Sequence, residues 1–230
     1  MTGLIFAMKE EISSIKKLTT NISVFESGFF KYFVFSFNNK EFVATFSGIG
    51  KANAAACCLD MIKTFSVKNI INIGSCGSCD VNLNIFDVVV VDKNYYLDVD
   101  ATAFGYEHGQ VPQEKPFFEN NNSLNNKVKK ILNENNIDFK SLNAGTSDSF
   151  IDHSNFKKIN KLLFKKISCI DMESAAINQI ASKNKTNCCF IKIISDSLYN
   201  SNKSTEEFNK NIKKIGKISQ NITKILLEKL

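Results

Sequence analysis

The sequence predicts a single-domain α/β fold, spanning residues 1–230, with a mixed, mostly parallel sheet flanked by helices on both faces. Three observations support this prediction. A length of 230 residues suits one domain. A hydrophobic content of 43%, including 20 Phe, is enough to build a core and excludes a disordered chain. Short apolar runs alternate with amphipathic segments, which is typical of parallel strands joined by helices.

Seven apolar runs of strand length predict the sheet. They are Gly3–Phe6, Tyr32–Phe37, Phe42–Phe46, Asn69–Ile73, Phe86–Val91, Ser168–Ile170 and Phe190–Ile194. The pair Asn38-Asn39 separates the second run from the third and predicts an antiparallel hairpin. Four segments have helical spacing. They are Lys51–Phe65, Leu124–Asn135, Ser174–Lys183 and a C-terminal segment with Phe208, Ile212, Ile215, Ile222 and Leu226 on one face. The Asn-rich stretch Glu119–Asn126 predicts a surface loop.

The charged residues argue against nucleic acid and membrane partners. All 29 basic residues are Lys, and the chain has no Arg and no Trp. The net charge is +6, but the lysines are scattered, without the basic stripe and interleaved aromatics of a nucleic-acid site. No apolar run reaches the roughly 18–20 residues that span a bilayer, and no basic segment precedes Gly3. We therefore expect a soluble, cytoplasmic protein.

The seven cysteines predict buried, reduced thiols. Their number is odd, and several are adjacent within apolar surroundings. Cys76-Gly77-Ser78-Cys79 is a C-x-x-C sequence, but no second pair or histidine follows at zinc spacing, which disfavours a metal or redox site. Because His108 and His153 are the only histidines, carboxylates are the better catalytic candidates.

Polar residues follow five of the predicted strands, where the carboxyl ends of parallel strands meet at one edge of a sheet. The segments are Ala7–Glu11, Ser47–Lys51, Gly74–Gly77, Asp171–Ser174 and Ser195–Asp196. They bring together two glycine-rich turns and three acidic clusters, and we expect these acids to be buried without a basic partner. Simpler interpretations exist for each segment: acids favour helix N-termini, Asp and Ser cap helices, and glycines form tight turns. The glycine-rich turn before Lys51 is not a Walker A loop.

These segments resemble the 5′-methylthioadenosine/S-adenosylhomocysteine nucleosidases of the nucleoside phosphorylase superfamily. Seven matches run in order along nearly the whole chain. They are Ala7-Met8-x-x-Glu11, Ser47–Lys51, Gly74–Gly77, Thr102–Tyr106 with Gly109, Gln110 and Pro112, Asp148-x-Phe150-Ile151, Met172-Glu173 with Ala175, and Ser195-Asp196. The resemblance implies a nucleoside phosphorylase-like fold. It also implies hydrolysis of methylthioadenosine, S-adenosylhomocysteine and 5′-deoxyadenosine to adenine and a 5′-substituted ribose, in methionine salvage and removal of methyl-cycle by-products.

The resemblance implies a role for each matched residue. Asp196 would be the general acid at adenine nitrogen 7, Glu11 the base that activates water, and Glu173 the ligand of the ribose hydroxyls. The other substrate-binding residues would be Met8, Ile49, Ser75, Phe150, Ile151 and Met172. The family forms homodimers, and the partner subunit would contribute Ala101, Phe104, Tyr106 and Pro112 to the 5′ pocket. No cofactor and no metal are implied.

Three positions depart from the family pattern: Leu97 replaces a frequent His, Ser147 a frequent Gly, and Lys192 a common Arg.

A purine nucleoside phosphorylase is the nearest alternative, but its phosphate site typically uses arginines, and a carboxylate at Glu11 would repel phosphate. A uridine phosphorylase fits less well, since an acid at Asp196 suits a purine. An inactive purine-binding protein would not need all three carboxylates. The preferred 5′-substituent stays open.

Overall fold

The computed structural model describes residues 1–8, 21–120, 122–159, 161–199 and 204–230. Glu11, the base implied by the family resemblance, lies outside these described residues, as does the rest of its acidic cluster. The structure therefore describes two of the three predicted acidic clusters.

Ten strands form one sheet in the described part of the chain. They are β1 (Thr2–Phe6), β2 (Ile22–Ser27), β3 (Phe30–Phe37), β4 (Lys40–Phe46), β5 (Asn69–Ser78), β6 (Val88–Tyr96), β7 (Phe118–Glu119), β8 (Lys140–Thr146), β9 (Cys169–Asp171) and β10 (Asn187–Ser197). The order is β10-β6-β8-β9-β5-β1-β4-β3-β2, with β7 beside β6. Because β5 also pairs with β10, strands β10, β6, β8, β9 and β5 close into a ring.

Parallel pairs join β5 to β1 and β10, β1 to β4, and β8 to β6 and β9. The pairs β2–β3, β3–β4, β5–β9, β6–β7 and β6–β10 are antiparallel. The prediction of a mixed α/β sheet is confirmed, although over the described ranges antiparallel pairs are as numerous as parallel ones.

Helices cover both faces of the sheet, as predicted. They are α1 (Lys51–Phe65), α2 (Asn122–Glu134), α3 (Lys161–Phe164), α4 (Ser174–Lys183) and α5 (Ser204–Lys229). Alternation along each strand divides the core between two layers. In β1, Leu4 and Phe6 pack in the layer of α2 and α5, whereas Ile5 packs in the layer of α1 and α4. None of the helices in the described ranges is long and apolar enough to cross a bilayer.

The predicted hairpin joins β3 to β4, where Phe37 pairs with Lys40. Asn38 and Asn39 have φ values of 49° and 61°, the left-handed conformation that a two-residue type I′ turn requires. Asn tolerates this conformation better than most residues.

Other local predictions were wrong. The stretch Glu119–Asn126 is not a surface loop: β7 ends at Glu119, α2 begins at Asn122, and Asn120 and Asn125 are buried with their amides donating to the carbonyl of Val91. The sequence pattern also missed β2, β7 and β8. Strand β2 is a largely exposed edge strand, and β8 carries polar residues, so neither shows a clear apolar run.

The segment Gly74–Gly77 is a strand rather than a turn. It continues β5 to Ser78, since Ser75 pairs with Ile193 of β10 and Gly77 with Ile170 of β9. Neighbours on both sides of this extension provide the hydrogen bonds that hold it in the sheet. It carries Ser75 and Gly77 to the edge where the acidic segments end.

Candidate active site

The carboxyl ends of β1, β4, β5, β9 and β10 surround a cavity of about 320 Å³. The expected convergence at this edge of the sheet is therefore present. Eight of the sequence-predicted residues of this chain line the cavity. They are Met8, Ile49, Ser75, Phe150, Ile151, Met172, Glu173 and Asp196. The ninth predicted residue, Glu11, lies outside the described residues.

Asp196 of β10 lines this cavity. The residue is only 2% exposed, and among the described groups its Oδ2 has no hydrogen-bond partner. A β-bulge between Ile194 and Asp196 changes the register with β5, a device that re-aims a side chain. A Cβ atom at position 77 would lie only 3.1 Å from Oδ2, so glycine at this position avoids a steric clash with the oxygen.

Burial determines the protonation of Asp196. It raises the pKa to about 6, outweighing the opposite effect of the Ser195 hydroxyl, while the negative charge of Glu207 adds to the rise. Ser195 Oγ lies 2.5 Å from Asp196 Oδ1 and 3.0 Å from the carbonyl oxygen of Cys76. Ser195 thus holds Oδ1, whereas Oδ2 has no partner among the described groups. Below about pH 6 the carboxyl keeps its proton and can donate it to a leaving group.

Glu173 lies at the junction of β9 and α4 and is 5% exposed. Its Oε1 accepts a hydrogen bond of 3.1 Å from the backbone N–H of Gly50, in the turn before α1. Gly50 has a φ of 99°, which favours glycine and orients this N–H toward Glu173. The partial positive charge of the α1 N-terminus favours a carboxylate here.

Our expectation that the acidic clusters lack a basic partner was wrong for the β9 cluster. Lys192 Nζ lies 2.7 Å from Asp171 Oδ2, with both side chains 1% exposed. Burial alone would raise the pKa of Asp171, but the Lys192 ammonium and hydrogen bonds from Thr146 and Ser174 hold it below its ordinary value. Lys192 is the residue that replaces a common Arg.

The other two departures pack without disturbing the cavity. Leu97 is buried against Gly145, where even a Cβ would lie only 2.6 Å from a Leu97 methyl carbon. Ser147 Oγ donates to Asp98 at 3.3 Å and accepts the N–H of Ser149 at 3.0 Å, which orders the loop that carries Phe150. The hydroxyl therefore supports this loop in place of glycine.

Sequence reasoning missed four lining residues near and on α5. They are Leu198, Thr205, Phe208 and Asn209. Phe208 packs edge-on against Phe150, with ring centroids 6.2 Å apart at 78°, so two aromatic rings flank one end of the cavity. The helical periodicity contained Phe208, but an apolar residue on a helical face is indistinguishable from a core residue until the tertiary structure places it.

The residues expected to serve a partner subunit do not line the cavity of their own chain. Ala101 is buried, Phe104 is 83% exposed on a short 3₁₀ turn, and Pro112 is also exposed. Tyr106 is half-buried. This exposure leaves Phe104 free to contact another molecule.

All seven cysteines fall within the described ranges, and all are buried and free. Burial raises the pKa of Cys76 and of Cys79, so neither member of the C-x-x-C sequence is a reactive thiolate. The prediction of buried thiols is confirmed.

A cavity at the strand ends that is lined by an aspartic acid with a raised pKa and by a buried glutamate suits the cleavage of a glycosidic bond. The model of the Phosphorylase superfamily matches residues 2–228. The chain is 36% identical over 228 residues to the 5′-methylthioadenosine/S-adenosylhomocysteine nucleosidase of Buchnera aphidicola, covering 99% of this chain and 96% of the relative.

Two solved structures from Helicobacter pylori have closely similar folds. One is 5′-methylthioadenosine/S-adenosylhomocysteine nucleosidase with butyl-thio-DADMe-Immucillin-A, with a TM-score of 0.92 and 28% identity, covering 100% of this chain and 98% of that one. The other is a futalosine hydrolase mutant, with a TM-score of 0.91 and 26% identity, covering 100% and 99%. The chain belongs to the 5′-methylthioadenosine/S-adenosylhomocysteine nucleosidase family of the phosphorylase superfamily. It is a hydrolase of N-glycosyl bonds.

Proposed function

We propose that this single domain hydrolyses the N-glycosidic bond of 5′-methylthioadenosine and S-adenosylhomocysteine, and also of 5′-deoxyadenosine. The products are adenine and the 5′-substituted ribose. The observation that carries this proposal is Asp196, which lines the cavity and whose buried Oδ2 has no partner among the described groups. An acid with a raised pKa in that position can protonate a purine leaving group.

In the proposed reaction, Asp196 donates its proton to nitrogen 7 of adenine as the bond between C1′ and nitrogen 9 breaks. The bonding electron pair leaves with adenine, and the ribosyl group becomes a cation. Glu173 binds the ribose hydroxyls, and its negative charge stabilises that cation. Glu11 removes a proton from the water that attacks C1′. The sum is nucleoside plus water to adenine plus sugar.

The lining of the cavity matches the three parts of such a substrate. Phe150 and Phe208 form an aromatic end where adenine stacks, and the Ile151 backbone reads the adenine edge. Met8, Met172 and Ser75 surround the ribose. Ile49, which is 51% exposed at the rim, contacts the 5′-alkylthio group.

The first test measures adenine release by the purified protein in phosphate-free buffer. We expect release from methylthioadenosine, S-adenosylhomocysteine and 5′-deoxyadenosine, with water as the only nucleophile. Futalosine is included because a futalosine hydrolase shares the fold. Release that requires phosphate would make the chain a phosphorylase. Preference for futalosine over all three adenosine derivatives would contradict the proposed substrates.

We also propose that the active form is a homodimer in which Ala101, Phe104, Tyr106 and Pro112 complete the 5′ pocket of the partner subunit. The 83% exposure of Phe104, a large apolar side chain, supports this arrangement. We place the reaction in methionine salvage and methyl-cycle by-product removal, and the protein in the cytoplasm, where its seven thiols stay reduced.

Replacing Phe104 with Asp should weaken the dimer and raise KM for methylthioadenosine by about 10-fold or more, since a central apolar anchor is lost from the interface and the pocket. Light scattering after gel filtration measures the mass, and steady-state kinetics measure KM. Phe29→Asp is the matched control because Phe29 is 98% exposed on the β2–β3 hairpin. A monomeric wild-type chain with full activity would exclude the shared pocket.

A further inference from the structure

A fully buried ion pair borders the cavity through Asp171 and contributes no group to the proposed bond cleavage. It joins Lys192 of β10 to Asp171 of β9 across 2.7 Å. A buried pair of this kind is not in itself stabilising, because removing both charges from water costs as much as their attraction returns. Because Asp171 lies two residues before Glu173 in the sequence, the pair is placed to act on Glu173.

Asp171 is tied to the backbone that carries Glu173. Its Oδ1 accepts the N–H of Glu173 at 3.3 Å and the N–H of Ser174 at 3.2 Å, and it accepts the Thr146 hydroxyl at 2.6 Å. These bonds cap the start of α4 and set the direction in which Glu173 leaves the strand. The backbone of Glu173 is therefore hydrogen-bonded to the carboxylate of Asp171.

Asp171 and Glu173 are both buried, and both act electrostatically on Lys192. When two buried carboxylates interact without a compensating cation, one of them takes up a proton. Lys192 supplies that cation. Both Asp171 and Glu173 raise the pKa of the Lys192 ammonium above its ordinary value, against the effect of burial, so the lysine is charged. With both carboxylates ionised, the three groups together carry one net negative charge.

Few other titratable groups face Glu173 from the described elements. Cys76 of β5 is neutral because burial raises its pKa. Asp148, in the loop after β8, bonds the α1 N-terminus through the N–H of Lys51, and the Lys51 ammonium lies 3.5 Å from its other oxygen. Asp196 lines the same cavity, and burial raises its pKa to about 6, so it is neutral on the acidic limb. Lys192 is thus the buried cation beside the β9 carboxylates.

We propose that Lys192 is a positioning residue that neutralises Asp171, so that Glu173 alone presents a full negative charge to the ribosyl cation. This role rests on the proposed function of Glu173. The chain uses lysine at a position where its family commonly has arginine, and a point charge on one carboxylate is enough for this task. Lys192 is not among the residues that line the cavity, and both Lys192 and Asp171 act through Glu173.

The test compares the pH dependence of kcat for methylthioadenosine in the wild type, Lys192→Met, Lys192→Arg and the double variant Lys192→Met with Asp171→Asn. In Lys192→Met, the acidic limb should move up by about 1 pH unit or more, because Glu173 and Asp171 then share a proton. The alkaline limb, which reports Asp196, should not move. Lys192→Arg should keep the wild-type profile.

The double variant is decisive because it removes both charges and leaves Glu173 as the sole carboxylate of its cluster. We expect its acidic limb to return to within about 0.3 pH unit of the wild type, with most of kcat recovered. A double variant as impaired as Lys192→Met would assign the pair a purely structural role and overturn the proposal, as would an unshifted limb in Lys192→Met. If Lys192→Met does not fold, the profile of the folded double variant decides. A wild type without adenine release would instead reject the proposed function.

Discussion

Replacing Asp196 with Asn should lower turnover of methylthioadenosine by about 10²–10⁴-fold, the range expected for loss of a general acid. Asn keeps an oxygen that accepts the Ser195 hydroxyl, so the side chain keeps its orientation. In the wild type, kcat/KM should fall as pH rises through about 6, because the carboxyl must carry its proton to act. The variant should lose this alkaline limb. Adenine release between pH 5 and 9 measures both effects.

The same substitution should stabilise the fold at neutral and alkaline pH. The pKa of Asp196 is raised from 3.8 to about 6, so the native state holds the proton more tightly than the unfolded chain does. Its contribution to stability is therefore complete at low pH and is lost as pH rises through about 6. Above pH 7, the shift in pKa lowers the free energy of unfolding by about 3 kcal/mol. Asn at position 196 carries no charge and removes this loss of stability. Thermal unfolding at pH 5 and pH 8 should show a gain for Asp196→Asn that is larger at pH 8.

Asp138→Asn is the control for both measurements, because Asp138 is an exposed aspartate outside the cavity lining. It should change neither turnover nor the pH dependence of unfolding. A variant at Asp196 that is inactive because it is misfolded would show a lower unfolding temperature, which is the opposite of the expected result. Near-normal turnover in Asp196→Asn would remove the residue from the mechanism.

Replacing Glu11 with Gln should also lower turnover by about 10²–10⁴-fold, because the amide cannot take a proton from the attacking water. The family resemblance assigns this role, and β1 delivers the preceding Met8 to the cavity wall. Single-turnover adenine release measures the chemical step directly. Glu10→Gln is the matched control, since position 10 is unspecified in the family pattern, and it should retain turnover. Equal losses in the two variants would point to an electrostatic effect of the segment instead.

A substrate with an activated leaving group separates the two roles. The 4-nitrophenyl glycoside of 5-methylthioribose needs no protonation to depart, so Asp196→Asn should cleave it at a rate close to the wild type. Glu11→Gln should remain slow on it, because water still requires activation. If both variants were slow on this glycoside, Asp196 would have a role other than protonating adenine.

Local sequence patterns were sufficient to predict the elements that have a clear hydrophobic periodicity or a characteristic turn. Helices α1 and α4 have the predicted bounds, and the Asn38-Asn39 turn needs only local backbone preferences. Strand β8 could not be predicted in this way, because its pairing with β6 and β9 depends on residues distant in sequence. The prediction of a surface loop over Glu119–Asn126 was wrong for the same reason. The buried amides of Asn120 and Asn125 donate to the carbonyl of Val91, which lies on another strand.

The candidate site was more predictable than the fold around it. Strand ends identify one edge of a sheet from the sequence alone, and the polar residues after each strand locate the cavity there. The ion pair of Asp171 with Lys192 was missed because Lys192 lies inside an apolar run. The sequence around such a lysine does not indicate which carboxylate it contacts in the folded chain. Phe208 was missed because α5 reaches the cavity only through tertiary packing.

The closed ring of strands divides the cavity into a fixed half and a variable half. Ser75, Glu173 and Asp196 are attached to β5, β9 and β10, which hold one another in register from both sides. The rim at Ile49 instead belongs to a turn, and under our proposal the 5′ pocket is completed by a second subunit. Mutations can therefore remodel the part that contacts the 5′-substituent while the machinery for breaking the bond stays intact. Under our proposal, a change of substrate preference therefore needs substitutions at the rim and at the subunit interface, and none at Ser75, Glu173 or Asp196.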